Sequence, residues 1–158
     1  MTKRYKTAGR KPKPSRGGSA ADQAELLRVA TEAREGAYAP YSNFSVGAAV
    51  RAASGRVYAG CNVENAFYEA AHAEQAAVIA AIGAGERTIL AVAIVGGPAG
   101  RPPRDAVPPC GFCRQWIFEF APQNGDVTIL GAGGSAVKRW SLRALLPEPF
   151  GPSVIRRR

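Results

Sequence analysis

Leu26, Val29, Ala30, Ala33 and Ala37 keep the three-to-four-residue spacing of one helical face. Ser19, with Asp22 three places on, has the form of a helix start, so a helix is expected over about 20 to 36, closed by Gly36 and Pro40. The runs 44–52 and 56–61 flank the turn Ser54-Gly55-Arg56 and predict a hairpin. A second helix opens at His72 and runs to about Ile82, stopping at Gly83 and Gly85. The stretch TILAVAIV, 88–95, is almost continuously apolar, which suits a strand buried on both faces. A proline-rich loop, GGPAGRPPRDAVPP, follows; then come a helix over about 111 to 120, a strand at 126–130 and a short helix at 142–146. There is no internal repeat. The order α-β-β-α-β-α-β-α predicts an α/β protein with a central sheet and helices on its faces.

The 158 residues suit one domain and one core. The net charge of +9 is unevenly placed: residues 1 to 20 carry +7 with no acid, and Arg156, Arg157 and Arg158 add +3. Between 21 and 155, 11 bases face 12 acids, so the globular part is near neutral and offers no basic nucleic-acid face. The expected organisation is a basic, solubilising tail over 1–19, a folded domain over 20–151 and a basic tail over 152–158. Loose attachment of the tails to a polyanion is the alternative use of that charge. No apolar run is long enough to span a membrane, and the N-terminus has no apolar core of a secretory signal, which predicts a cytoplasmic protein. In that setting three cysteines point to metal or catalytic use and not to a disulfide framework.

Candidate chemistry sits at two helix starts. AHAEQAAVIAA, residues 71 to 81, holds the chain's one histidine, His72, and a carboxylate two places on, Glu74. PPCGFCRQWIFEF, residues 108 to 120, holds Cys110 and Cys113 at C-x-x-C spacing. Alone, that spacing serves zinc sites, redox pairs or neither. A redox pair would follow a buried strand directly, whereas here a long loop intervenes. Two cysteines and a histidine make three zinc ligands, and three protein ligands leave a fourth position for water, the mark of a catalytic site. Helix N-termini favour thiolates, and a carboxylate two residues from the ligand can reach that water without being a ligand itself. H-x-E followed by P-C-x-x-C is the general signature of zinc deaminases. Cys61, in GCNVEN, falls outside this pattern and reads as a strand-end residue, although it could compete with His72 as a ligand.

From about 24 to 150 the chain resembles the cytidine deaminases of free nucleosides. AYAPYSNFSVGAAV, GCNVENA, HAEQAA, PCGFCRQWIFEF and LLPEPF follow in the family's order. The resemblance implies a three-layer α/β/α fold around a mixed five-stranded sheet. It also implies zinc (Zn2+) on His72, Cys110 and Cys113, with Glu74 as proton shuttle in the conversion of cytidine or 2′-deoxycytidine to the uracil nucleoside and ammonia. Asn62 and Glu64 match residues that hold the ribose. Phe44 matches an aromatic packed on the pyrimidine, Ala73 a further substrate contact, and Phe150 an aromatic that covers the base from a neighbouring subunit; core packing is the alternative for both aromatics. Family members with cysteine as first ligand usually carry arginine after the glutamate; here His72 is paired with the neutral Gln75, matching a neutral zinc cluster. Arg114, beside Cys113, is placed to donate to a ligand sulfur.

The chain also departs from the pattern. A histidine ligand is typical of the longer, dimeric members, whereas this length resembles the tetrameric ones, so a homo-oligomer, a tetramer before a dimer, is expected. Between Asn62 and the first ligand the chain is one residue shorter than usual, and Phe67-Tyr68-Glu69 replaces Ser-Tyr-Gly. Other functions compatible with the signature are deamination of a cytosine nucleoside antibiotic of blasticidin type, nucleic-acid editing, and a non-catalytic zinc or redox module. The carboxylate of Glu64 would repel the phosphates of a nucleic acid, and a non-catalytic module has no need of Glu74.

Overall fold

The computed structural model describes residues 18–123, 125–151 and 155. The basic tails expected over 1–19 and 152–158 lie outside the described residues apart from Gly18, Ser19 and Ile155.

Helix α1, Ala20–Glu35, begins where the sequence places it. Ser19 and Asp22 form a reciprocal capping box, the Asp22 N–H donating to Ser19 Oγ at 3.1 Å and the Ser19 N–H to Asp22 Oδ2 at 2.8 Å. Strands β1, Phe44–Ala52, and β2, Val57–Cys61, pair antiparallel about a turn whose Gly55 has φ 91°, a backbone shape that favours glycine. Two short strands, β3 (Val63–Glu64) and β4 (Ala70–Ala71), pair with each other as a separate ribbon. Helix α2, Ala73–Gly83, strand β5, Ile89–Pro98, helix α3, Gly111–Glu119, strands β6, Thr128–Gly133, and β7, Ala136–Ser141, and helix α4, Leu142–Leu145, complete the order.

The main sheet runs β2-β1-β5-β6-β7. Its β5–β6 pair is parallel and its other pairs are antiparallel, so it is the mixed five-stranded sheet that the resemblance implied. Side chains alternate between two cores. Ala48 and Val50 of β1 and Ile129 of β6 face one core with Ala77, Val78 and Ala81 of α2, Ile117 of α3 and Leu142 of α4. Ala49, Ala93 and Leu130 face the other with Leu26 and Ala30 of α1. One helix therefore covers one face and the remaining helices the opposite face, giving three layers. The β1–β5 register shifts between Arg51 and Ala52, where Ala91 and Ile89 are the partners and Leu90 is the extra residue. That bulge lets Ile89 face the same core as Val92 despite their odd separation.

The sequence expectation and the structure differ at three strands, and at two of them the physical cause is plain. β5 continues through Gly96, Gly97 and Pro98, which the composition assigns to a loop. These residues pair with Val46, Ser45 and Phe44, and a Cβ at Gly96 would come within 3.0 Å of Val107, so the glycine admits close packing within a strand. β6 starts at Thr128 and continues through Gly133. β7 has no counterpart in the pattern: Ala136 to Arg139 are exposed and show no apolar alternation, because the strand lies at the sheet edge.

Candidate metal centre and active site

Helices α2 and α3 lie on the same face and bring their N-termini together. His72 is the N-cap of α2 and Cys110 the N-cap of α3; both have extended backbones and neither side chain caps its helix. The imidazole and the thiol are thus left free to point away from their helices. Cys113 lies one turn into α3 and is fully buried, whereas Cys110 is exposed. His72 Nδ1 lies 3.4 Å from Cys110 Sγ and 3.3 Å from Cys113 Sγ, and the three atoms fall within 4.8 Å of one another. A tetrahedral zinc with ordinary bond lengths sets N···S separations of about 3.6 Å. The donor set therefore has the spacing and the chemistry of a zinc site. Burial, then the charge of Glu74 and the neighbouring Cys110, push the Cys113 thiol far above its ordinary value, an arrangement that a bound cation reverses. Among the described residues no other group of histidine, cysteine and carboxylate side chains meets in this way, and Cys61 stands apart at the end of β2, facing Gly36.

Glu74 is only 5% exposed. A carboxylate in a first helical turn is ordinarily a solvent-facing complement to the helix dipole; this one points inward beside Cys113. Burial raises its carboxyl above the ordinary value, opposed by hydrogen bonds from its own N–H and from Cys113 and by attraction to His72. A carboxyl group so placed can hold a proton in one step and release it in the next. Ala73, at the head of α2, is buried, and Gln75 is half-buried.

The remaining candidates lie on neighbouring elements. Asn62 follows β2 and is 9% exposed. Its Oδ1 accepts from the Val46 N–H at 2.7 Å and its Nδ2 donates to the Phe44 carbonyl at 2.9 Å, so one amide side chain substitutes for a strand neighbour at the start of β1. One N–H and one lone pair remain for a ligand. Phe44, at that same strand end, is 38% exposed, and its ring passes 3.2 Å from where a Gly96 Cβ would stand. Glu64 Oε2 accepts from the Tyr41 and Ser42 N–H groups at 2.9 and 3.2 Å. Hydrogen bonds from Ser42 first, and from the Tyr41 N–H, hold its carboxyl below the ordinary value despite partial desolvation. It borders a cleft of about 300 Å³ lined also by Tyr41, Ser42, Asn65, Tyr68 and Glu69.

Arg114 departs from its expected contact. Its Nε donates to the Pro109 carbonyl at 2.8 Å and Nη1 to the Leu145 carbonyl at 2.7 Å, so it braces the loop before Cys110 and does not reach a sulfur. Phe150 is 60% exposed at the end of the described chain. Phe112, which the sequence did not single out, packs its ring 5.5 Å from that of His72 and 6.3 Å from that of Trp116. Its place between the two cysteines was the available signal.

Comparison with known proteins agrees with this geometry. Residues 20–128 match the family model for the cytidine and deoxycytidylate deaminase zinc-binding region. A cytidine deaminase of Halalkalibacterium halodurans is 40% identical over 130 residues, covering 82% of this chain and 94% of the relative. The crystal structure of cytidine deaminase from Burkholderia pseudomallei superposes with a TM-score of 0.71 at 40% identity, covering 80% of this chain and 98% of that one. The corresponding structure from Mycobacterium tuberculosis gives 0.67 at 39% identity, covering 82% and 98%. With the fold, the sequence and the ligand geometry in agreement, this chain belongs to the cytidine and deoxycytidylate deaminase family, whose zinc-binding region it carries.

Proposed function

We propose that this protein hydrolyses the exocyclic amine of cytidine and 2′-deoxycytidine, releasing ammonia and the uracil nucleoside. The observation that carries the proposal is the meeting of His72 Nδ1 with two cysteine sulfurs beside the buried Glu74, in a chain of this family. Zinc held by His72, Cys110 and Cys113 supplies the Lewis acidity that makes water a nucleophile near neutral pH.

Glu74 takes the proton that the attacking water loses as its oxygen bonds to C4, and passes it to ring N3. It then moves a second proton from that oxygen to the C4 amine. The C4–N bond breaks, ammonia leaves, and the oxygen remains as the new carbonyl. The pyrimidine rests against Phe44, and the backbone at Ala73 borders the ring. The sugar hydroxyls bond to Asn62 through its unused N–H and lone pair and to the Glu64 carboxylate, which stays ionised because the Tyr41 and Ser42 hydrogen bonds favour the charged form. Gln75 keeps the cluster free of an added positive charge. Phe150, exposed in one chain, covers the base in a neighbouring copy of a homo-oligomer, a tetramer on the length of the chain.

The catalytic unit is 20–151 and the basic tails are dispensable for turnover. Thiol ligands suit the reducing cytoplasm. Among the described residues no helix is long and apolar enough to cross a membrane.

The test is ammonia release with cytidine, 2′-deoxycytidine, a blasticidin-type nucleoside and a cytosine-containing oligonucleotide. Zinc-dependent turnover of the first two is expected. Turnover of the oligonucleotide alone, or of none of the four, refutes the proposal, and turnover of the antibiotic alone moves the substrate to modified sugars. Light scattering of the purified protein tests the tetramer; a monomer that is fully active would remove the role given to Phe150.

A further inference from the structure

Phe150 and Gly151 are fastened to the helix that carries two of the candidate metal ligands. Gln115 Nε2 donates to the Phe150 carbonyl at 2.6 Å, and its Oε1 accepts from the Phe150 N–H at 3.2 Å. One amide side chain thus takes both backbone groups of Phe150, as a neighbouring strand would. The residues on either side are held by the same helix. Arg114 binds the Leu145 carbonyl, and Gly151 is buried so closely over Phe118 that a Cβ there would come 2.9 Å from the ring. The backbone at 150–151 is therefore fixed while the Phe150 ring remains 60% exposed. A large apolar ring whose own backbone is held in this way is free to meet a surface outside the chain without further ordering of that backbone.

We infer that Gln115 is a positioning residue: by clamping both backbone groups of Phe150 to α3, it sets where the Phe150 ring stands over the base bound in a neighbouring copy. The inference rests on the deaminase reading of Phe150. It adds that α3, whose first turn supplies Cys110 and Cys113 to one site, also fixes the aromatic cover offered to another. Without the clamp the ring must be ordered at each binding event, and that cost falls on substrate affinity and not on the proton transfers of Glu74.

The experiment compares the parent protein with Gln115→Ala, Gln115→Glu, Phe150→Ala and the double variant Gln115→Ala/Phe150→Ala, all checked for zinc content. Gln115→Ala is expected to raise KM for cytidine about tenfold, the factor corresponding to two exposed hydrogen bonds at the low end of their net range, with kcat within about twofold of the parent. Gln115→Glu keeps an acceptor for the Phe150 N–H but turns a second carboxylate oxygen toward the Phe150 carbonyl, so it should not restore the parent's KM. In the Phe150→Ala background, removal of Gln115 should cost nothing further, because a residue that acts through the ring has no effect once the ring is gone. Hydrogen exchange at the Phe150 amide should accelerate in Gln115→Ala, a readout independent of turnover. A full tenfold cost of Gln115→Ala in the absence of the Phe150 ring overturns the inference, and so does an unchanged KM. An unchanged exchange rate shows that there is no clamp. If the parent has no cytidine turnover the deaminase reading falls, and the catalytic role of the clamp falls with it, whereas the exchange measurement still decides whether the clamp exists.

Discussion

At Gly60 the backbone of β2 lies directly against the helix that carries His72 and Glu74. A Cβ built there would stand 2.4 Å from the Ala77 nitrogen, 2.7 Å from the Ala73 carbonyl oxygen and 2.7 Å from the Ala76 Cβ. Ordinary contact begins near 3.4 Å, and two of the three neighbours are backbone atoms, so no rotamer change relieves the clash. Gly60→Ala therefore forces α2 away from β2 by about 1 Å. Gly47 offers the matched control on the other face: its Cβ would meet the Ala30 carbonyl oxygen at 2.1 Å and the Arg34 nitrogen at 2.3 Å, both in α1, which carries none of the proposed catalytic groups.

Overpacking of this kind costs about 1–3 kcal/mol or more, so both variants should melt below the parent. Their activities should separate. A displacement of about 1 Å in a positioned catalytic group can cost about a hundredfold in rate, and Gly60→Ala displaces the first turn of α2 directly. Well below its melting temperature, Gly60→Ala should lose about 10- to 100-fold in kcat/KM and bind zinc less tightly, while folded Gly47→Ala, whose strain falls on α1 and the start of β1, keeps kcat and zinc affinity within about threefold of the parent. The assay pairs thermal unfolding followed by circular dichroism with steady-state deamination and competition for zinc against a chelating dye. Equal losses of activity in the two variants, once corrected for folded fraction, would refute the claim that α2–β2 contact distance sets the site.

Other substitutions probe single groups. Glu74→Gln keeps the shape of the side chain but cannot shuttle protons, so kcat should fall by about 10²–10⁴ with zinc retained, as measured by turnover alongside metal analysis. Gln75→Arg should leave zinc bound and lower activity, because a positive charge beside a neutral cluster favours the ionised form of Glu74 and weakens it as a proton carrier; unchanged turnover would defeat the charge-matching argument. Glu86 accepts from Ser54 Oγ at 2.6 Å, Tyr58 OH at 3.0 Å and Arg56 Nη2 at 2.9 Å, and these bonds, Ser54's first, hold its carboxyl below the ordinary 4.5. A depressed folded value means that its stabilisation is complete above pH 4.5 and is lost as pH falls toward the folded value, so Glu86→Gln should melt lower at neutral pH and lose less between neutral and acidic pH than the parent in a melting series. Deleting residues 1 to 18 should leave nucleoside turnover unchanged in the same deamination assay.

What the sequence disclosed depends on how local the cause is. The capping box of α1, the hairpin about Gly55 and the two cysteines at a helix start all arise from residues within a few places of one another, and all were legible. The grouping of His72, Cys110 and Cys113 was legible for a further reason: few side chains can serve zinc, so residue type carries most of the information and distance along the chain matters little. β7 had no such mark. Its place is set by pairing with β6, and Lys138 and Arg139, on opposite faces of the strand, are both exposed at an edge where polar residues are expected. The fifth strand was therefore available only from the resemblance.

Polar side chains that bind distant backbone were the least visible, and they do much of the positioning. Asn62 stands in for a strand neighbour at Phe44 and Val46, and Gln115 does the same at Phe150. Arg114 ties the Pro109 carbonyl to that of Leu145. Arg34 reads as a helix-end base, yet its guanidinium donates to the carbonyls of Ser45, Gly97, Pro98 and Arg101, joining α1 to the beginning of β1, the end of β5 and the loop beyond it. Each of these contacts reaches backbone groups that the helix and strand ladders do not themselves satisfy, and unpaired backbone buried from water is costly. The site requires such segments, because its ligands and aromatics sit at the ends of strands and helices, where the backbone ladder stops. The same physical need that places the chemistry at element ends thus requires side-chain amides and guanidinium groups to hold those ends, and the identity of each partner is fixed only once the sheet has formed.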